Sequence, residues 1–163
     1  MTFASSSTIG QPPTAEDIEA VAKFLGRVPG GNFTVAARRS DGKPAVISND
    51  PLLRDGTPMP TRYWLVDPKL RALVSRLEAD GGVREAEIAV DSTAVADAHR
   101  RYRQERDALV PPLWTGARPS GGVGGTRQGI KCLHAHVAWW IAGGDDPVGA
   151  WAAERAGIAR WST

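Results

Sequence analysis

At 163 residues the chain is of single-domain size, long enough to bury about two-thirds of the surface its unfolded form exposes. Lys plus Arg total 20 and Asp plus Glu 18, and the resulting +2 is too small for a nucleic-acid binder defined by charge alone. One cysteine, Cys132, excludes an internal disulfide, and no apolar run approaches the roughly 18 residues of a membrane-spanning helix, so a cytoplasmic protein with no nucleic-acid partner and no membrane insertion is expected.

Residues 1–13, rich in Ser, Thr, Gly and Pro, carry no apolar period and read as a disordered leader, with one globular domain over 14–163. Thr14 with Asp17 three residues on resembles a capping box, and Ile18, Val21, Ala22 and Leu25 recur at helical spacing until Gly26 stops them. Asn32–Arg39 and Pro44–Asn49 read as strands joined by an Asp41-Gly42 hairpin turn, and Arg62–Val66 as a third strand. The intervening Asp50–Thr61 holds Pro51, Gly56, Pro58 and Pro60, which forbid a regular helix or central strand.

Asp67-Pro68 is a helix start, and Leu70, Leu73, Val74 and Leu77 form its apolar face until Gly81-Gly82. A second helical stretch covers about Val83–Leu109, with a break near Asp91-Ser92 and His99 expected at the surface among arginines. Pro111–Gly129 reads as a long glycine-rich loop feeding a helix over about Ile130–Ala142. Asp146-Pro147 then opens the last helix. The fold class is therefore α+β, a small antiparallel sheet of about three strands flanked by four or five helices.

Chemistry concentrates where Cys132, His134 and His136 follow the glycine-rich loop. On a helix Cys132 and His136 lie about 40° apart and His134 points away, so all three converge only if the first turn is irregular. Three readings stay open. Zinc or iron could be held by Cys132, His134 and His136 with Asp67 as a fourth group. Alternatively, Cys132 is a nucleophile activated by a helix N-terminus and a neighbouring His base, which makes Cys132 and His134 candidate catalytic residues. In the third reading, Cys132 is a small buried side chain and the histidines are packed or solvated.

Gly121, Gly122, Gly124 and Gly125, leading to Thr126, Arg127 and Lys131, invite an anion cradle of backbone N–H groups, although no Walker or dinucleotide motif is present. Arg38, Arg39, Arg54 and Arg62, from strand ends and the first long loop, can converge with it. Asp55-Gly56-Thr57-Pro58 reads as a structural turn. Trp139, Trp140, Trp151 and Trp161 offer either core or an exposed interface for a protein partner.

Asp55–Leu65, Val74-Ser75-Arg76-Leu77-Glu78, Ser120-Gly121-Gly122, Lys131-Cys132-Leu133-His134 and Asp146–Gly149 together resemble the actinobacterial domain-of-unknown-function family numbered five hundred and one. The resemblance spans about residues 25–149 and implies no established activity. It does imply a soft-ligand set, since members carry Cys at the places of Ser40 and Asp67 and keep the equivalents of Cys132 and His134. Here Ser40 and Asp67 depart from that pattern and His136 is an added imidazole. Gene neighbours of the family, a septum-formation initiator and an exopolyphosphatase, associate it with envelope growth or polyphosphate metabolism.

The expected site brings Arg39, Ser40, Asp67, Cys132, His134 and His136 together, with Asp55, Thr57 and Arg62 at its rim. The expected function is a small enzyme or metal-dependent binder of a phosphate-bearing or other anionic small molecule. The alternative is a non-catalytic interaction module for a division or envelope protein, with self-association open in either case.

Overall fold

The computed structural model describes residues 10–160. Elements run α1 (Ala15–Leu25), β1 (Phe33–Arg38), β2 (Pro44–Asn49), β3 (Tyr63–Leu65), α2 (Pro68–Ala79), α3 (Gly82–Ala89), α4 (Ser92–Asp107), a 3-10 turn at Val123–Gly125, α5 (Leu133–Ile141) and α6 (Pro147–Ala156). The three strands form one antiparallel sheet in the order β1-β2-β3, so the α+β reading holds.

Local chemistry accounts for most boundaries. Thr14 and Asp17 complete the capping box of α1, Asp67 caps α2 by accepting from Lys69 N–H, and Asp146 caps α6 by accepting from Val148 N–H, each of the last two with Pro at the start of the helix. The Asp41-Gly42 turn closes the β1–β2 hairpin, with Gly42 at φ +82°, where a side chain would be strained. Asp91 separates α3 from α4 by capping the latter through Ala94 N–H.

Strand β2 is central and buried along its whole length. Its Val46 faces the main core with Tyr63, Leu65, Tyr102, Leu133, Val137 and Val148, while Ile47 joins a smaller cluster of Val21, Phe33 and Val66 under α1. Both faces of the sheet are therefore covered, as the continuous apolar run of β2 demands.

Ordered chain begins before Thr14. Gln11 exchanges backbone hydrogen bonds with Val35, at 2.8 and 3.0 Å, and Gly10 packs so close to the Val35 carbonyl that a Cβ would lie 2.6 Å from it. The end of the expected leader is thus held to the edge of the sheet by a single bridge from Gln11 to β1, and its first nine residues lie outside the described ones. No helix among the described residues is long and apolar enough to cross a membrane.

A basic cleft between α2 and the start of α5

Helix α5 starts later than its sequence suggests. Cys132 is extended, at φ −148° and ψ 157°, and serves as N-cap without a side-chain hydrogen bond. It is therefore not one helical turn before His136, and the expected shared face disappears. His134, expected to point away, opens with Cys132 onto a cleft of about 660 Å³ lined by Arg27, Tyr63, Trp64, Arg71, Ser75 and Lys131. His136 turns the opposite way, into the core.

At the cleft wall, His134 Nδ1 lies 3.0 Å from Glu78 Oε1 and Nε2 lies 3.1 Å from Ser75 Oγ. Glu78 Oε1 also accepts from Leu133 N–H at 2.6 Å. The carboxyl can only accept from the ring, so the ring proton sits on Nδ1 and the Nε2 lone pair faces the Ser75 hydroxyl. The Arg71 carbonyl, 3.3 Å from Nε2, is the second acceptor nearby.

The cleft is basic. Arg27, Arg71 and Lys131 line it, no Asp or Glu does, and none of the three forms an ion pair among the described residues. Arg71 is held by donating to the Phe24 carbonyl at 3.0 Å, and Arg27 stacks over Trp64 at 5.4 Å. The start of α5 adds little to this charge, because its first N–H, at Leu133, is already met by the Glu78 carboxyl.

Other expected site residues serve the fold. Asp67 ties down α2 and sits 3.8 Å from Arg39, which also pairs with Asp41. Arg62 is buried, paired with Glu105 at 2.9 Å and bonded to Ser48 Oγ. Asp55 accepts from Thr57 N–H in an exposed turn whose Gly56 packs on Trp114, so both stay outside the cleft.

His136 Nδ1–H donates to Asp146 Oδ2 at 2.7 Å, with both side chains sealed in the core. Among the described residues no three His, Cys, Asp or Glu side chains gather as a metal would require. Asp67, Cys132, His134 and His136 therefore do not fit the zinc or iron set that the sequence suggests, because two of the four are spent on a helix cap and a buried pair. Ser40 lies exposed just beyond β1.

The glycine-rich loop is clamped instead of cradling an anion. Gly122 N–H bonds the Thr126 carbonyl, Gly125 N–H the Gly122 carbonyl, Thr126 N–H the Val123 carbonyl and Val123 N–H the His99 Nδ1. Buried Arg106 donates to the carbonyls of Pro60, Ser120 and Gly121.

His99, expected at the surface, is buried, with Nε2–H donated to the Gly129 carbonyl at 2.7 Å. Burial holds its imidazole below the ordinary value, opposed by that bond. A second cleft of about 810 Å³ opens beside it between α3, α4 and the loop, and it receives Arg127. Lys131 and Arg127 thus serve different clefts. In the second one both His99 nitrogens are engaged and Arg100 is paired with Asp97.

The tryptophans are mostly covered. Trp139 is buried and donates to Glu105 Oε2, while Trp140 and Trp151 lie half-buried beneath Arg160 and Arg155, and Trp161 is outside the described residues.

The family described as Protein of unknown function (DUF501) matches residues 35–154 of this chain. The chain belongs to that family. No curated protein and no solved structure matches it. The matched span contains every cleft-lining group named above except Arg27.

Sequence reasoning found Cys132, His134 and Lys131 but passed over Arg27, Arg71, Ser75 and Glu78. Ser75 and Glu78 did carry a signal, because both stand in the motif that supported the family resemblance and lie three apart, on one face of a helix.

Proposed function

We propose that the chain binds a small organic anion in the cleft between α2 and α5, with the negative group against Arg71 and Lys131 and an apolar or aromatic body along Trp64 and Leu65. The observation that carries this reading is a concave site lined by three cations that have no carboxylate partner among the described residues, with the Glu78 carboxyl behind its wall turned to His134 and Leu133. Unpaired guanidinium and ammonium groups on an apolar wall favour a phosphate or carboxylate, and Arg71, fixed through Phe24, loses little freedom on binding one.

Titration with phenyl phosphate, followed by calorimetry and by Trp fluorescence, tests it. Binding weakens about 10- to 100-fold in Arg71→Ala/Lys131→Ala, the loss expected for charge-assisted hydrogen bonds. An affinity unchanged by the double substitution, or no binding by the wild type, overturns the reading.

A further inference from the structure

The residues Ser75 and His134 are 59 positions apart in the chain, yet the fold brings hydroxyl and imidazole together at the wall of the cleft. We propose that the cleft is catalytic, with Ser75 as nucleophile, His134 as general base and Glu78 as the positioning residue. The activity assigned is hydrolysis of a small carboxylic ester whose body carries a negative charge. The substrate class rests on the anion-binding reading above. The chemistry rests on the geometry of these three side chains.

The arrangement has the order such a reaction needs. Glu78 accepts from His134 Nδ1 at 3.0 Å and is itself fixed by Leu133 N–H, so the ring cannot turn without losing its contacts to Glu78 and Ser75. That leaves the Nε2 lone pair for the Ser75 hydroxyl proton at 3.1 Å. Ser75 is exposed and lines the cleft with His134, so an ester carbonyl can reach its oxygen. Nucleophile and positioning carboxyl stand three apart on α2 and the base on α5, so rigid elements hold all three.

The step balances as follows. Ser75 Oγ adds to the ester carbonyl carbon and its proton passes to His134 Nε2. The charged ring is then stabilised by Glu78 at Nδ1 and by the Arg71 carbonyl, 3.3 Å from Nε2. The ester C–O bond breaks and His134 returns the proton to the departing alkoxide, leaving an acyl-Ser75. Water, giving a proton to His134, adds to the acyl carbon, and the proton returns to Ser75 Oγ as the acid leaves. The sum is ester plus water to acid plus alcohol.

Cys132 shares the cleft, but Nδ1 of His134 meets Glu78 and Nε2 meets the Ser75 hydroxyl, and the thiol has no hydrogen bond to the ring among the described residues. The base therefore serves the hydroxyl and not the thiol, which replaces the cysteine-nucleophile reading of the sequence.

The test uses the full chain with 4-nitrophenyl hydrogen succinate as an anionic ester, and a fluorophosphonate reagent whose adduct is located by peptide mass spectrometry. Expected are turnover above the buffer rate and an adduct on the peptide holding Ser75. Ser75→Ala removes both, and Cys132→Ala retains both. His134→Gln and Glu78→Gln lower kcat by roughly 10²-fold or more while phenyl phosphate affinity is kept. Circular dichroism guards against unfolding, and Ser75→Ala, on an exposed position, is the variant least able to disturb the fold.

Turnover unaffected by Ser75→Ala, or an adduct on Cys132, overturns the proposal. So does the absence of turnover and adduct in a wild type that still binds phenyl phosphate, which leaves the anion site standing and reduces the three residues to a brace between helices. Loss of phenyl phosphate binding in the wild type removes the substrate class instead.

Discussion

His134 and His136 stand two residues apart on one helix and have opposite surroundings. About 200° of rotation around α5 separates them. His134 is half-buried at a basic cleft, with Glu78 and Ser75 on its two nitrogens. His136 is 1% exposed, bonded through Nδ1 to Asp146, and its Nε2 has no hydrogen-bond partner among the described residues. Each imidazole has a carboxyl on Nδ1. What differs is access at Nε2, and it makes one ring available to a ligand and the other a part of the core.

The largest effect should come from breaking the sealed pair. Asp146→Ala leaves the Nδ1–H of His136 and the N–H of Val148 without acceptors in the core and removes the cap of α6. Removing one partner of a buried pair costs about 3–5 kcal/mol, which urea unfolding would read as a shift of the midpoint. The α5–α6 packing is tight where this happens, since a Cβ on Gly149 would lie 2.4 Å from the His136 carbonyl, leaving little room to relax. A cost below about 1 kcal/mol would mean the pair carries no such structural load.

The division between the two histidines was only partly legible in the sequence. Helix starts were readable, because Thr14, Asp67-Pro68, Asp91 and Asp146-Pro147 act within a few residues of themselves. The hairpin at Asp41-Gly42 was readable for the same reason. The start of α5 was not, because Cys132 caps it without the Ser, Thr, Asp or Asn that marks a cap, and the resulting displacement reversed which histidine faces the cleft.

Long-range pairing was equally hidden, since nothing local says that Ser75 and Glu78 meet His134. His99 is a different kind of miss. The inward residues of α4 are Val95, Ala98, His99, Tyr102 and Arg106, spaced as one helix face. The period includes His99 and Arg106, but the polarity of His99 and its arginine neighbours argue for the surface. Each is buried, His99 with both ring nitrogens engaged by the glycine-rich loop and Arg106 held between the carbonyls of Ser120 and Gly121 and the carboxyl of Asp107, which is how a polar residue can occupy an apolar stripe.

A third environment for imidazole follows, intermediate between the other two. His99 borders the second cleft but is largely buried, 5.7 Å in ring separation from His136. Burial lowers its pKa from the ordinary 6.5. The folded chain therefore binds its proton less readily than the unfolded chain. Stability due to this group is present above about pH 6.5 and is lost as pH falls through the lower folded value. The thermal midpoint of the wild type should fall as pH drops from about 6.5 toward the lower folded value, and His99→Gln should flatten that slope. An unchanged slope in His99→Gln would assign the acid sensitivity to another group.

The smallest effect on stability is expected at His134 itself, and it completes the contrast with His136. Its contacts to Glu78 and Ser75 are partly open to water, where the net worth of a hydrogen bond or ion pair is about 0–1 kcal/mol. His134→Gln should therefore shift the urea midpoint by no more than that, far less than Asp146→Ala. A side chain with little structural work, held by two partners at the mouth of a basic cleft, is placed for a ligand. If His134→Gln destabilises as strongly as Asp146→Ala, both histidines are packing residues, the exposure of Nε2 at position 134 is incidental, and the functional distinction between the two faces of α5 falls.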